Sequence, residues 1–447
     1  MLHKTKLTFW GVVAIALLCA PAVSAADRGW GEDGASANAN LSNIADIRQP
    51  ALALGANQRV AVAWASGQLA STKGIFIKYG INTPTESLSI LTGNQDTWAP
   101  ALAYNGDQLL AVWVQGKFPY PGTIIERDLS TSLSKTVFTP TYGYTAPRLL
   151  VGTDRLHMFF ASAQSGNDFS KADLYYTYRR FADAQWIAPT LIITHGQAIG
   201  QSHGGIWYPH AALSQDKGTV HLVWEQKGTL GEGDIYRVFY SRGVWNATTE
   251  RFDWAPLTLL SPFDKNGVRP KVTVDGADRV HVTWVEQEYQ VIGNNVIILQ
   301  YINYRRLENE QWEPPLTQPN GIRLDPDPVQ VNTYRPTWST ISMDAQGAML
   351  CVAWHGFRPQ PETPGYEEIL MRCSKNGGKT WDTHITNASE TPLHLSLFPV
   401  LKLTAAGKLH LAWEEYTGPD FAYNYDVFYR QGPIPREKVY LPLTLRG

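Results

Sequence analysis

Apolar and polar residues alternate along this chain in short runs, and one order of runs recurs seven times. Each unit has a proline, an apolar strand, a polar turn, a second strand with alternating apolar residues, and a closing aromatic. The second strand of one unit, with Val280, Val282 and Trp284, has the period of two that is typical of a half-buried β-strand. Its Asp-Gly-Ala-Asp turn is a hairpin connection. The seven units span residues 50–64, 100–113, 147–160, 209–224, 270–284, 336–354 and 399–413.

A third strand follows most units, and a fourth often begins near a tryptophan: Trp186, Trp254, Trp312 or Trp381. Four antiparallel strands at a period of roughly 50–65 residues predict an all-β fold, a seven-bladed β-propeller of four-stranded antiparallel blades. The seventh unit lacks a fourth strand. We therefore expect residues 40–47 to supply it and to close the ring, within a propeller over residues 40–431.

The two ends of the chain lie outside the repeats. A basic start followed by an apolar run predicts a signal peptide over residues 1–26, and hence a secreted or cell-surface protein. Residues 27–39 are then a linker. The apolar run is too short for a membrane span, and no later run is longer. The tail, residues 432–447, ends in Y-L-P-L-T-L-R, which resembles endings of many exported bacterial proteins and suggests surface sorting.

Charge and the rarer residues narrow the possible partners. The net charge of -2 gives no reason to expect nucleic acid as a partner.

If Trp354 lies opposite Leu370 in its hairpin, Cys351 lies opposite Cys373, and a disulfide and two buried thiols both fit. Four histidines recur three residues before the closing aromatic, on different blades and hence too far apart for one metal ion: His157, His221, His281 and His410. We expect neither a metal nor a cofactor.

One rim of the disc collects the candidate binding residues. In an antiparallel hairpin, the start of the first strand and the end of the second lie together, so residues near each proline and just after each aromatic share the mouth of the channel. The candidate ligand-binding residues are Arg48, Trp98, Tyr208, Arg269, Arg335, His355, Phe398 and Glu415. The candidate catalytic carboxylates are Glu225, Glu286 and Glu414. Arginine pairs with carboxylates, and flat aromatic rings can stack on sugars. Alternatively, these glutamates only pair with arginines of the next blade.

The stretch S-K-N-G-G-K-T-W, residues 374–381, resembles the Asp box of the bacterial neuraminidase repeat. Ser374, Gly378, Thr380 and Trp381 match that pattern, and Asn376 stands where aspartate is usual. The chain thus resembles the sialidase-like propeller superfamily. In that family the box is structural, and the propeller is typically six-bladed, which is the alternative to seven blades.

The same resemblance implies a catalytic set of three arginines, a Tyr–Glu nucleophile pair and an aspartate acid/base. Arg48, Arg269 and Arg335 are candidates for the arginines, but no clear aspartate or Tyr–Glu pair stands in the matching places. The fold and a glycan-facing rim therefore carry over more readily than the reaction.

Three functions remain open. The chain is a secreted, monomeric propeller that binds a glycan or a protein at its rim, or a sialidase-like glycoside hydrolase or polysaccharide lyase, or a non-catalytic cell-surface scaffold. Carboxylates of Glu225 and Glu286 separated by roughly 5–10 Å would favour hydrolysis. Glutamates held by neighbouring cations would favour binding.

Overall fold

The computed structural model describes most of the repeat region and short pieces before it. The described residues are 28–29, 35–42, 47–56, 59–66, 73–81, 86–92, 95–116, 122–139, 147–163, 171–195, 197, 204–230, 233–292, 295–318, 320–325, 329–331, 340–357, 367–391, 394–416 and 425–435.

These residues form seven antiparallel sheets and no α-helix. The first strands of neighbouring sheets contact one another from the first sheet to the seventh and back to the first. The sheets are therefore blades around a central channel, with the first strand of each blade innermost. This confirms the predicted seven-bladed β-propeller and excludes the six-bladed alternative.

Blades 1 to 4 are built from consecutive strands. They are Ile47–Leu54, Val60–Ser66, Ile75–Tyr79 and Ser87–Ile90 in blade 1; Thr97–Asn105, Gln108–Gln115, Thr123–Asp128 and Ser134–Phe138 in blade 2; Arg148–Val151, Arg155–Ala163, Ala172–Arg180 and Thr190–Ile193 in blade 3; and Ile206–Leu213, Thr219–Leu230, Gly233–Asn246 and Arg251–Trp254 in blade 4, where Thr258–Leu259 also pairs with the third strand.

Blades 5 to 7 carry additions at their outer edges. Blade 5 has Asn266–Val274, Val280–Ile292, Asn295–Glu308 and Gln311–Glu313, with Ile322–Arg323 and Val329–Val331 also on its third strand; blade 6 has Ile341–Gln346, Met349–Phe357, Glu367–Ser374 and Thr386–Asn387, with Arg28–Gly29 parallel to the last; blade 7 has Ser396–Leu403, Lys408–Tyr416, Tyr425–Pro433 and Ala39–Asn40. The two ends of the propeller meet in blade 7, where Asn40 and Ser42 bond to Asp426.

Large aromatic side chains fill the interfaces between blades. Six second-strand tryptophans are at most 2% exposed: Trp64, Trp113, Trp224, Trp284, Trp354 and Trp413. In blade 3, Phe160 has the corresponding place in the sequence and is equally buried. Each such ring removes a large apolar area from water, so the repeated aromatic is the main packing residue of its blade.

The repeated histidines bond to tyrosines of the third strand. The Nδ1–Oη distances are 2.7 Å in His157–Tyr176, 2.8 Å in His221–Tyr240, 2.7 Å in His281–Tyr304 and 2.6 Å in His410–Tyr429. Burial lowers the pKa of His221 and of His410 to about 4. These four His–Tyr pairs are therefore neutral, buried links between strands.

The hairpin of blade 6 has the predicted register, with Trp354 opposite Leu370 and Cys351 opposite Cys373. The two cysteines form a disulfide, which decides between the two alternatives left open by the sequence.

The stretch that resembles an Asp box lies directly after the third strand of blade 6. The Ser374 hydroxyl accepts the Gly378 N–H at 2.9 Å, and the Asn376 side chain accepts the Thr380 N–H at 2.9 Å. Trp381 packs edge-on against Tyr304 of blade 5, with ring centroids 4.9 Å apart. All these contacts are internal to the fold, so the geometry of this stretch is that of a structural turn.

Candidate functional site

A β-bulge shapes the channel mouth in several blades. The pairing of the first and second strands shifts register around the proline in blades 1, 2, 4, 5 and 7. In the last four of these blades the residue before the proline is left-handed, with φ of 52° at Ala99, 46° at Tyr208, 55° at Arg269 and 51° at Phe398. Bulky side chains rarely adopt this backbone conformation, and such outliers concentrate at functional positions.

The same end of each hairpin also carries the residues that follow the tryptophan. Trp207 pairs with Glu225, Gly267 with Glu286, and Leu397 with Glu414. The structure thus brings bulge residues and glutamates to one rim of the disc.

Tyr208, Arg269 and Glu225 form one contact group between blades 4 and 5. The Arg269 guanidinium carbon lies 3.8 Å from the centroid of the Tyr208 ring. The Arg269 backbone N–H donates to Glu225 Oε2 at 2.5 Å. Tyr208 and Arg269 are partly exposed, whereas Glu225 is 1% exposed. A partly exposed cation–aromatic pair therefore lies at the rim, and a buried carboxylate anchors its backbone.

Burial raises the pKa of Glu225 to about 7, although Arg269 opposes that effect. The carboxyl group thus changes charge near neutral pH. Because the Glu225 carboxyl group accepts a hydrogen bond from the Arg269 backbone, its charge acts directly on the bulge that carries Arg269.

His355 occupies in blade 6 the position that Glu225 occupies in blade 4, directly after the tryptophan. Its side chain is fully buried, and the Thr340 N–H donates to Nδ1 at 3.3 Å, which leaves the proton on Nε2. Burial, with a smaller contribution from Arg269, lowers the pKa of His355 to about 3. The Phe398 ring of blade 7 lies 5.9 Å away. His355 is thus a neutral group within the electrostatic reach of Arg269.

The Glu286 carboxylate is held within blade 5. Its oxygens lie 3.2 Å from Lys265 Nζ, 3.3 Å from Arg323 and 3.1 Å from Asn303 Nδ2, and the side chain is fully buried. Two cations and an amide therefore occupy the position that a substrate would need.

The two glutamates of blade 7 are also buried. Glu415 accepts the Trp413 indole N–H at 2.6 Å and the Ser396 hydroxyl at 2.7 Å, and burial raises its pKa to about 7. Glu414 is fully buried. Neither side chain is open to the solvent of the rim.

Three sequence-predicted rim residues remain to be placed. Trp98 is half-buried and packs into the cluster between blades 2 and 3. The side chain of Arg48 and the whole of Arg335 lie outside the described residues.

The sequence analysis missed a group beside Glu286, which we call the blade 5 ridge: Lys265, Glu288, Tyr289, Tyr301 and Arg323. The Arg323 guanidinium carbon lies 3.7 Å from the Tyr301 ring centroid, and Tyr289 is 54% exposed. The second and third strands of blade 5 are 13 and 14 residues long, and blade 4 has similar strands of 12 and 14. The sequence signal for this group was the long strand-like run after the tryptophan in blades 4 and 5. This run extends both hairpins beyond the rim.

The described residues contain neither a candidate metal-binding group nor a candidate membrane-spanning helix. No group of three His, Cys, Asp or Glu side chains there is arranged to hold a metal ion. No helix there is long and apolar enough to cross a membrane.

Comparison with known proteins finds similar folds among solved structures. No family model and no curated protein matches the sequence. The fold is similar to that of a PL25 ulvan lyase bound to a GlcA(1-4)Rha3S segment, with a TM-score of 0.54 and 11% identity over 88% of this chain and 94% of that one. The polysaccharide lyase Uly1 gives a TM-score of 0.52 and 9% identity over 90% and 100% of the two chains. An α-L-arabinofuranosidase from Fusarium graminearum gives 0.47 and 10% identity over 89% and 97%. The similarity to the two lyases shows a shared fold.

Proposed function

We propose that this protein binds an acidic extracellular glycan at the channel mouth, through Arg269 and Tyr208. The observation that carries the proposal is the guanidinium stacked at 3.8 Å on a partly exposed phenol, at a strained rim position. Guanidinium groups bind carboxylate and sulfate by paired hydrogen bonds, and aromatic faces accept sugar rings.

The Arg269 side chain has capacity left for a ligand. Its backbone N–H donates to Glu225, but among the described residues no carboxylate forms a salt bridge with its guanidinium. An acidic substituent would supply this counter-charge beside the Tyr208 ring.

The positions of the glutamates favour binding over hydrolysis by two carboxylates. That reaction needs one carboxyl group on each side of the scissile bond. Glu286 is enclosed by Lys265 and Arg323, and Glu225 is 1% exposed under the Arg269 backbone. In this arrangement both glutamates are structural partners of cationic residues.

A polysaccharide lyase is the second candidate, because the folds of two lyases are similar and Tyr208 lies beside Arg269. In such an elimination, Arg269 would neutralise the carboxylate of a uronate residue. A base would take the C5 proton, a C4–C5 double bond would form, and the bond to the leaving O4 would break. Tyr208, which lies beside Arg269, would donate a proton to the leaving O4. Burial raises its pKa, so it would serve more readily as an acid than as a base.

Two further proposals rest on the sequence. Residues 1–26 support export to the medium or the cell surface, where such a glycan is met. The turn at residues 374–381 supports a sialidase-like relationship, without the sialidase reaction.

The test is binding of uronate-containing and neutral oligosaccharides to the purified protein by calorimetry, with ultraviolet absorbance recorded for unsaturated products. We expect Arg269→Met to weaken binding of the acidic sugar about tenfold or more, since charged hydrogen bonds contribute about 1.5–3 kcal/mol. The exposed Arg251 supplies a matched control, Arg251→Met. Wild-type affinity in Arg269→Met would refute the proposal. Product formation that Tyr208→Phe abolishes, with binding retained, would select the lyase.

A further inference from the structure

The channel just below the rim carries an uneven ring of side chains. In the six blades where the structure describes it, the residue after the first-strand proline occupies the same position, opposite the residue before the closing aromatic. The described members are Ala51, Ala101, Arg148, His210, Lys271 and Val400. The three with nitrogen-bearing side chains are consecutive, in blades 3, 4 and 5. Each is partly exposed, and on an innermost strand that exposure is toward the channel.

Contacts between first strands hold these three side chains together. Arg148 Nε donates to the Pro209 carbonyl at 3.1 Å, so the blade 3 side chain reaches blade 4. The Val272 N–H donates to His210 Nδ1 at 3.3 Å, so the blade 4 imidazole reaches blade 5 next to Lys271. The remaining donors are the terminal guanidinium N–H groups, the His210 Nε2–H and the lysine amine.

The charged groups around this cluster do not neutralise its positive charge. Arg269 approaches from the rim and Lys402 from blade 7, and Lys402 is already paired with Asp344 at 2.9 Å. Glu225 interacts with Lys271, but over a longer range than an ion pair. Among the described residues, no carboxylate forms a salt bridge with Arg148 or Lys271. Grouped cations without a partner are costly away from bulk water.

We propose that Arg148, His210 and Lys271 form a binding site for an oxyanion, a carboxylate or a sulfate, inside the channel. Such a group offers several acceptor oxygens to donors that converge from three neighbouring strands. The anion is either a free solute or the acidic substituent of a glycan held at the rim. The first case does not depend on the proposed function.

The protonation of the cluster supports this assignment. Burial, reinforced by the neighbouring cations, lowers the pKa of Lys271 and that of His210 well below their usual values. A bound anion favours the charged forms and therefore raises both pKa values. Binding is thus expected to take up protons and to tighten as the pH falls.

The test is calorimetric titration of the whole protein with sodium sulfate, against sodium chloride, in two buffers of different ionisation enthalpy. We expect sulfate to bind with proton uptake, and Lys271→Met to weaken it about tenfold or more, as loss of a charged hydrogen bond implies. The exposed Lys171 supplies the control Lys171→Met, which should bind as the wild type does. If Lys271→Met fails to fold, Arg148→Lys, which keeps the charge but loses the fork of donors, takes its place. No preference for sulfate over chloride, or unchanged sulfate affinity in the variant, would overturn the proposal.

A competition arm identifies the source of the anion. An acidic oligosaccharide that displaces sulfate in the wild type, and that binds less well to Arg269→Met, shows that one ligand spans rim and channel. Sulfate binding that the oligosaccharide leaves unchanged supports the site with a free anion. Oligosaccharide binding without sulfate binding would overturn the channel site and leave the proposed function standing.

Discussion

Replacement of Glu225 by glutamine should change how the stability of the propeller depends on pH. Burial raises the pKa of Glu225 from an ordinary 4.5 to about 7. The native state therefore holds a proton that the unfolded chain releases between these two values. The contribution of this carboxyl group to stability is fully present below pH 4.5 and is lost as the pH rises to 7. The loss amounts to about 3 kcal/mol, because one pKa unit corresponds to about 1.4 kcal/mol.

Glutamine mimics the protonated carboxyl group, and its oxygen can still accept the Arg269 N–H. We therefore expect Glu225→Gln to match the wild type at about pH 4 and to be more stable by up to about 3 kcal/mol at about pH 8. Urea unfolding at both pH values measures the difference. Glu310, whose side chain is 75% exposed at a turn of blade 5, supplies the control Glu310→Gln. Equal pH dependence of Glu225→Gln and wild type would refute the assigned burial, and so would a less stable variant at pH 8.

Three further predictions concern the scaffold. Gly378→Ala should cost several times more stability than Gly347→Ala, as measured by urea unfolding. Both glycines have a positive φ, of 76° and 60°, but a Cβ at Gly378 would overlap the Tyr304 hydroxyl, whereas nothing lies within 4 Å of one at Gly347. Arg179→Met should cost about 3–5 kcal/mol, because it leaves the buried Glu126 carboxylate, 2.6 Å from the guanidinium, without its cation; addition of Glu126→Gln should recover part of this loss in the same assay. Acid should also weaken the fold through the His–Tyr pairs. Their histidines have lowered pKa values, so the stability they contribute is present above about pH 6.5 and is lost below it, which urea unfolding from pH 7 to 4 measures.

The architecture could be predicted because each blade repeats the same physical solution. In most blades a proline lies at the bulge of the first strand, where it needs no hydrogen-bond partner, and a large aromatic follows in the second strand, so the pattern survives even where the residues differ. The hairpin register around Cys351 and Cys373 followed from the same period of two. The disulfide did not follow, since two thiols in that register satisfy the pattern equally well.

The site was harder to predict from the sequence, because the repeat pattern does not indicate which side chains are exposed to solvent. Glu225, Glu286 and Glu415 all follow a tryptophan by one or two residues, yet each meets a different set of partners. Glu225 bonds to the Arg269 backbone of the next blade, whereas the partners of Glu286 and Glu415 lie in their own blades. The repeat pattern does not indicate these partners, because they differ from blade to blade. The blade 5 ridge was missed for a related reason, because its members come from three separate segments that meet only after folding.

The proposed binding chemistry lies where the blades depart from the seven-fold repeat. At the position after the proline, blades 1 and 2 carry alanine and blade 7 carries valine, whereas blades 3 to 5 carry Arg148, His210 and Lys271. At the position before it, blades 4 and 5 carry Tyr208 and Arg269, and these same blades have the longest hairpins. Among the described residues, the equivalent positions in the other blades are small or apolar, and none of them is a carboxylate. A symmetric ring could not concentrate charge on one side in this way, so the departures from the repeat, rather than the repeat itself, define which ligand the mouth can hold.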